Sequence, residues 1–264
     1  MIYLKHDEEI ELIRVSSLLV CKTLAQIAKV LKIGKTGLEI DKLAEEFIRD
    51  HGGIPAFKGY QGFPGTLCIS ANECIVHGIP SNKPFESGDI LSIDCGVVKD
   101  GFYGDSAYSF LLGEVSEDVI KLARVTEAAL YLGIEQAIVG QRIGDIGQAI
   151  QEHAEKRHHY GVVRELVGHG IGKKLHEAPE VPNYGQKGKG PVLKEGLTIA
   201  IEPMINQGTR HIKQLKDGWT VVSTDLKASA HYEHTIAVRN NGPEILSDHQ
   251  MIKDEIKNNS EIIL

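Results

Sequence analysis

The stretch Asp89–Phe110, "DILSIDCGVVKDGFYGDSAYSF", decides the fold. Two runs rich in β-branched and aromatic residues flank a short polar turn, the pattern of a β-hairpin. A two-residue turn at Lys99–Asp100 predicts that Val98 faces Gly101, Val97 faces Phe102 and Asp94 faces Asp105. Opposed residues of an antiparallel pair share a face, with Cβ atoms roughly 5 Å apart. Two carboxylates would then stand together, which costs energy unless protons or cations neutralise them. Aspartate is also depleted in strands. A divalent cation is the expected neutraliser. The alternative is a pair of surface or turn acids, and a register slip of one residue would put them on opposite faces.

The carboxyl-terminal half supplies matching chemistry. "GLTIAIEPMI" (196–205) reads as a strand that ends in an anchored or misplaced charge, Glu202. "WTVVSTDLKASAHYEHTIAV" (219–238) supplies two more strands, with Glu233 between a turn around Ala228–Ala230 and the strand that begins at His234. "HGIGKKLHEAPEVPNYG" (169–185) reads as a glycine-bearing loop that carries His169 and His176. Asp94, Asp105, Glu202, Glu233 and His169 together make four carboxylates and one imidazole. Oxygen ligands with one imidazole suit manganese, iron, cobalt or zinc. Four acids overcharge one divalent ion but roughly balance two, and two such ions about 3.5 Å apart can share a bridging hydroxide as nucleophile. Neither an HExxH helix nor a phosphate-binding P-loop is present.

The rest of the chain supports a compact αβ unit. Ile10, Ile13, Leu18, Cys21, Leu24, Ile27 and Leu31 trace one helical face over Asp7–Leu31. Thr36 and Glu39 have capping-box spacing, so a helix is expected over Gly37–Asp50. Further helices are expected from Glu117 to about Ile138 and over Ile143–Lys156. The segments 34–53 and 140–159 share a turn, a helix and a polar exit. Each follows a longer helix and precedes a histidine in a glycine-bearing loop, His77 or His169. Such an internal repeat would place two αβ halves together with a site between them. The alternative is chance likeness between helix–turn–helix–strand modules.

Composition sets the outer bounds. The 264 residues are 42% hydrophobic and 25% charged, with a formal charge of −7. That is a globular composition, and its acidic excess argues against a dedicated nucleic-acid binder. Cys21, Cys68, Cys74 and Cys95 form no CxxC pair, which fits neither a disulfide framework nor a thiolate zinc site and agrees with a reducing compartment. The opening "MIYLKHDEEIELIR" lacks the apolar core of a signal peptide, and no apolar run reaches membrane-spanning length. The expected location is the cytoplasm.

These residues carry a resemblance. "HGIP" at His77, "DCG" at Asp94, "GDSA" at Gly104–Ala107, "HGIG" at His169, "HEAP" at His176, "IEPM" around Glu202 and "YEHT" around Glu233 resemble, in order and spacing along nearly the whole chain, a type I methionine aminopeptidase. The resemblance implies an α+β pita-bread fold: two pseudo-twofold-related αβ halves with antiparallel strands around a central dimetal site. Residues 1–264 would form a single catalytic domain with halves near 1–110 and 111–264. Asp105, His169, Glu202 and Glu233 would hold one divalent metal and Asp94, Asp105 and Glu233 the other, with Asp105 and Glu233 bridging. His77 would lie near the substrate amine or scissile nitrogen. His176 would bond the carbonyl oxygen, and Glu202 would also shuttle a proton.

The same resemblance maps a methionine pocket onto Phe57, Tyr60, Phe63, Cys68, Leu175 and Trp219, beside His77. Phe57, Phe63 and Leu175 depart from the commonest bacterial pattern, which has a small residue or cysteine, a tyrosine and a phenylalanine there. Pocket shape is therefore in question, and the metal centre much less so. Asn72 and Ser229 fall where members hold sodium or potassium through loop oxygens, although Asn72 alone equally fits a turn cap. The amino terminus has no zinc-binding extension, which favours a bacterial or organelle-like form. The implied partners are nascent amino termini, met in transient association with the ribosome by a monomer, with no nucleic-acid substrate and no membrane. Two other readings compete: a proline-directed aminopeptidase or dipeptidase of the same fold, and a non-catalytic peptide binder. The first should prefer Xaa–Pro substrates, and the second should hold no metal.

Overall fold

The computed structural model describes residues 2–263. Helix α1 covers Asp7–Val30 and buries Ile10, Ile13, Leu24 and Ile27 on one face. Helix α2 covers Gly37–Asp50. It starts on the expected capping box: the Glu39 amide donates to Thr36 Oγ1 at 3.3 Å, and the Thr36 amide to Glu39 Oε2 at 2.9 Å. Helix α3 covers Glu117–Ile134 and stops short of Ile138, because the Gln136, Ala137 and Ile138 amides bond only two or three residues back, in tight turns. Helix α4 covers Ile143–Gln151, and a π-helical stretch follows over Glu152–Arg157 where an α-helix was expected to run on. Helix α5, His249–Ile256, lies against α1.

The hairpin forms, but its turn differs from the expected one. Strands Ile90–Lys99 and Phe102–Leu112 pair with Lys99 opposite Phe102, so the turn is Asp100–Gly101. Both turn residues have positive φ, 52° and 79°. Tight hairpin turns need that geometry, and Asp-Gly adopts it more cheaply than Lys-Asp. Moving the turn by one residue moves the register by two. Asp94 therefore faces Ala107, and Asp105 faces Gly96. The aspartates stand diagonally rather than directly opposed, yet on the same face, because side-chain direction repeats every two residues.

This hairpin anchors a five-stranded sheet with Ile54–Pro55, Leu67–Ala71 and Ile262–Ile263. A second five-stranded sheet joins Gly168–Gly170, Glu177–Val181, Thr198–Ile201, His234–Arg239 and Gly242–Ile245. Each of these sheets follows a helix pair in the chain, α1–α2 and then α3–α4, the arrangement that two αβ halves require. One buried apolar core draws on both, from Leu19 on α1 to Ile262. The segment 219–238 yields three strands, not two: Ser229–His231 pairs with Met204–Asn206, so the turn expected around Ala228–Ala230 is part of a ladder.

Candidate metal centre

The acids converge from two settings: Asp94 and Asp105 lie mid-strand on one face of the hairpin, and Glu202 and Glu233 stand where a ladder ends. Glu202 breaks its strand at the Glu202–Pro203 step, since proline donates no amide hydrogen to a ladder. Glu202 and Glu233 stand one step beyond the last pair of their ladder, Ile201 opposite His234, and so project from one face. Asn183 Nδ2 donates to the Glu202 carbonyl at 3.0 Å and holds this break. His169 lies in the strand Gly168–Gly170 rather than in a loop, with a bulge immediately after it. Its Nδ1–H donates to the Gly170 carbonyl at 3.0 Å, which leaves Nε2 bare toward the acids. Nε2 lies 3.5 Å from Glu202 Oε1 and 3.9 Å from Asp105 Oδ2.

Ligand atoms of Asp105, His169 and Glu233 all fall within 4.8 Å of one another. Asp94, Glu202, His77 and His176 line the same cavity, of about 220 Å³. Burial pushes Asp94 up to about 7 and Glu202 up to about 8. Asp105 and Glu233 are pushed well above the carboxylate range, first by burial and then by the neighbouring acids. Burial lowers His169 to about 3 and His77 to about 4, so both rings are neutral. Asp94 Oδ1, Asp105 Oδ1 and Glu233 Oε1 are buried with no hydrogen-bond partner. Among the described residues, no lysine or arginine reaches any of the four acids; their ion pairs are with histidines alone. Bare buried carboxylate oxygens beside a neutral imidazole fit a divalent cation, which replaces the missing positive charge.

An apolar wall adjoins the acids. Phe57, Phe63, Cys68 and Leu175 are buried together, with Tyr60 and Trp219 packed against them. All six line the cavity, as does Gln61, for which the sequence carried no signal. Gly96, opposite Asp105, makes room for this wall: a Cβ there would lie 2.6 Å from Phe57 Cε1. His176 sits exposed at the rim, edge-on to His169 at 4.3 Å, and its Nδ1 lies 2.8 Å from the Tyr60 hydroxyl. His77 is held at φ 58°, outside the usual range for a residue with a side chain.

Sequence reasoning missed His231. It is 2% exposed, and its Nε2 lies 3.5 Å from Glu202 Oε2 with no hydrogen-bond partner. Its signal was the alternation Ser229–Ala230–His231, which becomes readable only once that segment is known to be a strand. Asn72 and Ser229 do meet, the Ser229 amide donating to the Asn72 carbonyl at 2.8 Å.

Comparison with known proteins decides the family. The sequence profile of metallopeptidase family M24 matches residues 11–240. The chain belongs to metallopeptidase family M24. This M24 chain is 49% identical over 248 residues to the methionine aminopeptidase of Clostridium acetobutylicum, covering 94% of this chain and 99% of that one. It is 47% identical to methionine aminopeptidase 1 of Bacillus subtilis over 247 residues, with the same coverages. The crystal structure of methionine aminopeptidase from Rickettsia prowazekii superposes with a TM-score of 0.92 at 42% identity, covering 94% of the M24 chain and 100% of that one. The pita-bread expectation and the motif resemblance therefore hold, and the family's divalent-metal dependence agrees with the bare carboxylates.

Proposed function

We propose that the chain is a methionine aminopeptidase, which removes the amino-terminal methionine from polypeptides whose second residue is small. The observation that carries this reading is the contact between an aromatic-walled cavity and a buried cage of acids around one neutral histidine. Asp94, Asp105, His169, Glu202 and Glu233 would hold two divalent ions, cobalt, manganese, iron or zinc, with Asp105 and Glu233 shared. Bound there, such ions supply Lewis acidity and make water nucleophilic near neutral pH.

The chain's own residues do the rest. Phe57, Phe63, Cys68, Leu175 and Trp219 receive the thioether side chain, which aromatic edges and a thiol accommodate well. Neutral His77 lies beside the substrate amine and scissile nitrogen. The Tyr60 hydroxyl lies 2.8 Å from His176 Nδ1; with the phenol as donor there, Nε2–H would be free to donate to the peptide carbonyl as negative charge develops on its oxygen. Glu202 passes a proton to the leaving amine. Because the free amine must itself reach the acids, cleavage stops after one residue.

Residues 1–264 would act as one catalytic domain, supported by the core shared between the halves. Asn72 and Ser229 would offer loop oxygens to sodium or potassium. The substrates would be nascent chains met at the ribosome by a monomer in the cytoplasm. The charge of −7 supports a reading without nucleic-acid substrates, and no helix of the described residues is long and apolar enough to cross a membrane.

The test pairs Met-Ala-Ser with Met-Lys-Ser, followed by mass spectrometry of manganese-loaded protein. Methionine should leave the alanine peptide at least about a hundredfold faster. Preference for an Xaa–Pro peptide would replace this reading with a proline-directed one.

A further inference from the structure

Behind the acids lies a layer of hydrogen bonds that the proposed reaction leaves without a role. Ser106 follows Asp105, and its hydroxyl donates to the Glu233 carbonyl at 2.7 Å. The same hydroxyl lies 3.0 Å from His249 Nε2. Having given its one proton to a carbonyl, Ser106 accepts from the histidine, which fixes the Nε2–H tautomer of His249. Three more bonds join the same two segments. Thr235 Oγ1 donates to the Asp105 carbonyl at 2.8 Å, the Asp105 amide returns to Thr235 Oγ1 at 3.3 Å, and the Glu233 amide donates to the Ala107 carbonyl at 3.0 Å.

His249 is an unusual choice for mere filler. It is the first residue of α5, 3% exposed, edge-on to Tyr108 and stacked on His234 at 3.7 Å. With Nε2 committed to Ser106, Nδ1 is left buried without a partner. A buried bare acceptor costs stability, and an apolar side chain would occupy the space without that cost. What an apolar side chain cannot do is donate to Ser106. The residue before it, Asp248, donates its amide to Cys21 Sγ at 3.0 Å, which ties this end of α5 to α1.

We propose that His249, acting through Ser106, is a positioning residue that sets the backbone of Glu233 against Asp105 and so fixes the spacing of these two mutually repelling acids before metal arrives. The inference rests on the reading of Asp105 and Glu233 as shared metal ligands. A histidine that donates through Nε2 has a close mimic in glutamine, whose amide nitrogen reaches the same position. Asparagine reaches only the Nδ1 position.

Calorimetric titration of manganese into metal-free protein tests this directly. His249→Ala should weaken manganese binding about tenfold or more, the usual scale for groups that orient metal ligands. Ser106→Ala should do the same, and the double variant should be no worse than either alone. His249→Gln should return affinity to within about threefold of the parent, and His249→Asn should not. Thermal melts of the metal-free forms separate stability from affinity. A filler role would lower the melting temperature while leaving manganese affinity within about twofold, and that result overturns the proposal, as would equal behaviour of the glutamine and asparagine forms. If the parent binds manganese and releases methionine while His249→Ala is unaffected, only the positioning role falls. If the parent binds no manganese and releases none, the functional reading falls and takes this inference with it.

Discussion

At the scale of single residues, the centre works by withholding partners. Asp94, Asp105 and Glu233 each keep an oxygen bare in a buried setting, and His169 spends Nδ1 on a carbonyl so that Nε2 stays free. Tyr60 meets Nδ1 of His176 as the Gly170 carbonyl meets Nδ1 of His169, but with the opposite result: the carbonyl leaves Nε2 of His169 bare, and a phenol donor would leave His176 its Nε2–H. Tyr60→Phe should lower kcat about fivefold with little change in KM, since one hydrogen bond is worth roughly 1 kcal/mol; steady-state kinetics on Met-Ala-Ser would show it. Asp94, Asp105, Glu202 and Glu233 stood out because charges in strands and at strand ends are out of place; His169 stood out only as a histidine among glycines, in a stretch that read as a loop and forms a strand. His231 was not, because its segment resembled a turn until the ladder with Met204–Asn206 was seen.

At the scale of elements, the hairpin shows which sequence inferences survive error. Placing the turn at Lys99–Asp100 gave the wrong partners for Asp94 and Asp105 but the right face, because the error moved the register by an even number. The Asp-Gly pair carried the missing information, in its demand for two positive φ values. The interruptions of α3 and α4 had no such marker, since Ile138 and Lys156 continue a helical pattern by composition alone. The hairpin is in turn pinned by α1: a Cβ on Gly104 would lie 2.3 Å from the Ser17 amide nitrogen. Helix backbone cannot yield as a side chain does. Gly104→Ala should therefore cost about 2 kcal/mol or more in urea unfolding, within the range for overpacked sites, and should weaken metal binding because Asp105 is the next residue.

At the scale of the whole molecule, two αβ halves meet over repelling acids, and metal-free stability should record the strain. Asp94, Asp105, Glu202 and Glu233 all bind protons more tightly folded than unfolded. Their contribution is therefore present below the ordinary carboxylate range and is lost as pH rises through the raised values, near 7 to 8 for Asp94 and Glu202. Buried His77 and His169 act in the opposite sense, but only below the unfolded histidine value of about 6.5. Between about pH 6.5 and 8.5 the acids govern. Metal-free protein should lose melting temperature across that interval, and manganese-loaded protein should not, because the ions take the place of the protons.

The most direct measurement follows methionine release from Met-Ala-Ser while manganese is titrated into metal-free protein, with Asp105→Asn alongside. Release should be absent at the start and rise in step with bound manganese, and Asp105→Asn should lose both binding and release. An undiminished rate from thoroughly metal-free protein, or an Asp105→Asn form that binds and cuts as the parent does, would contradict a metal centre built on these acids.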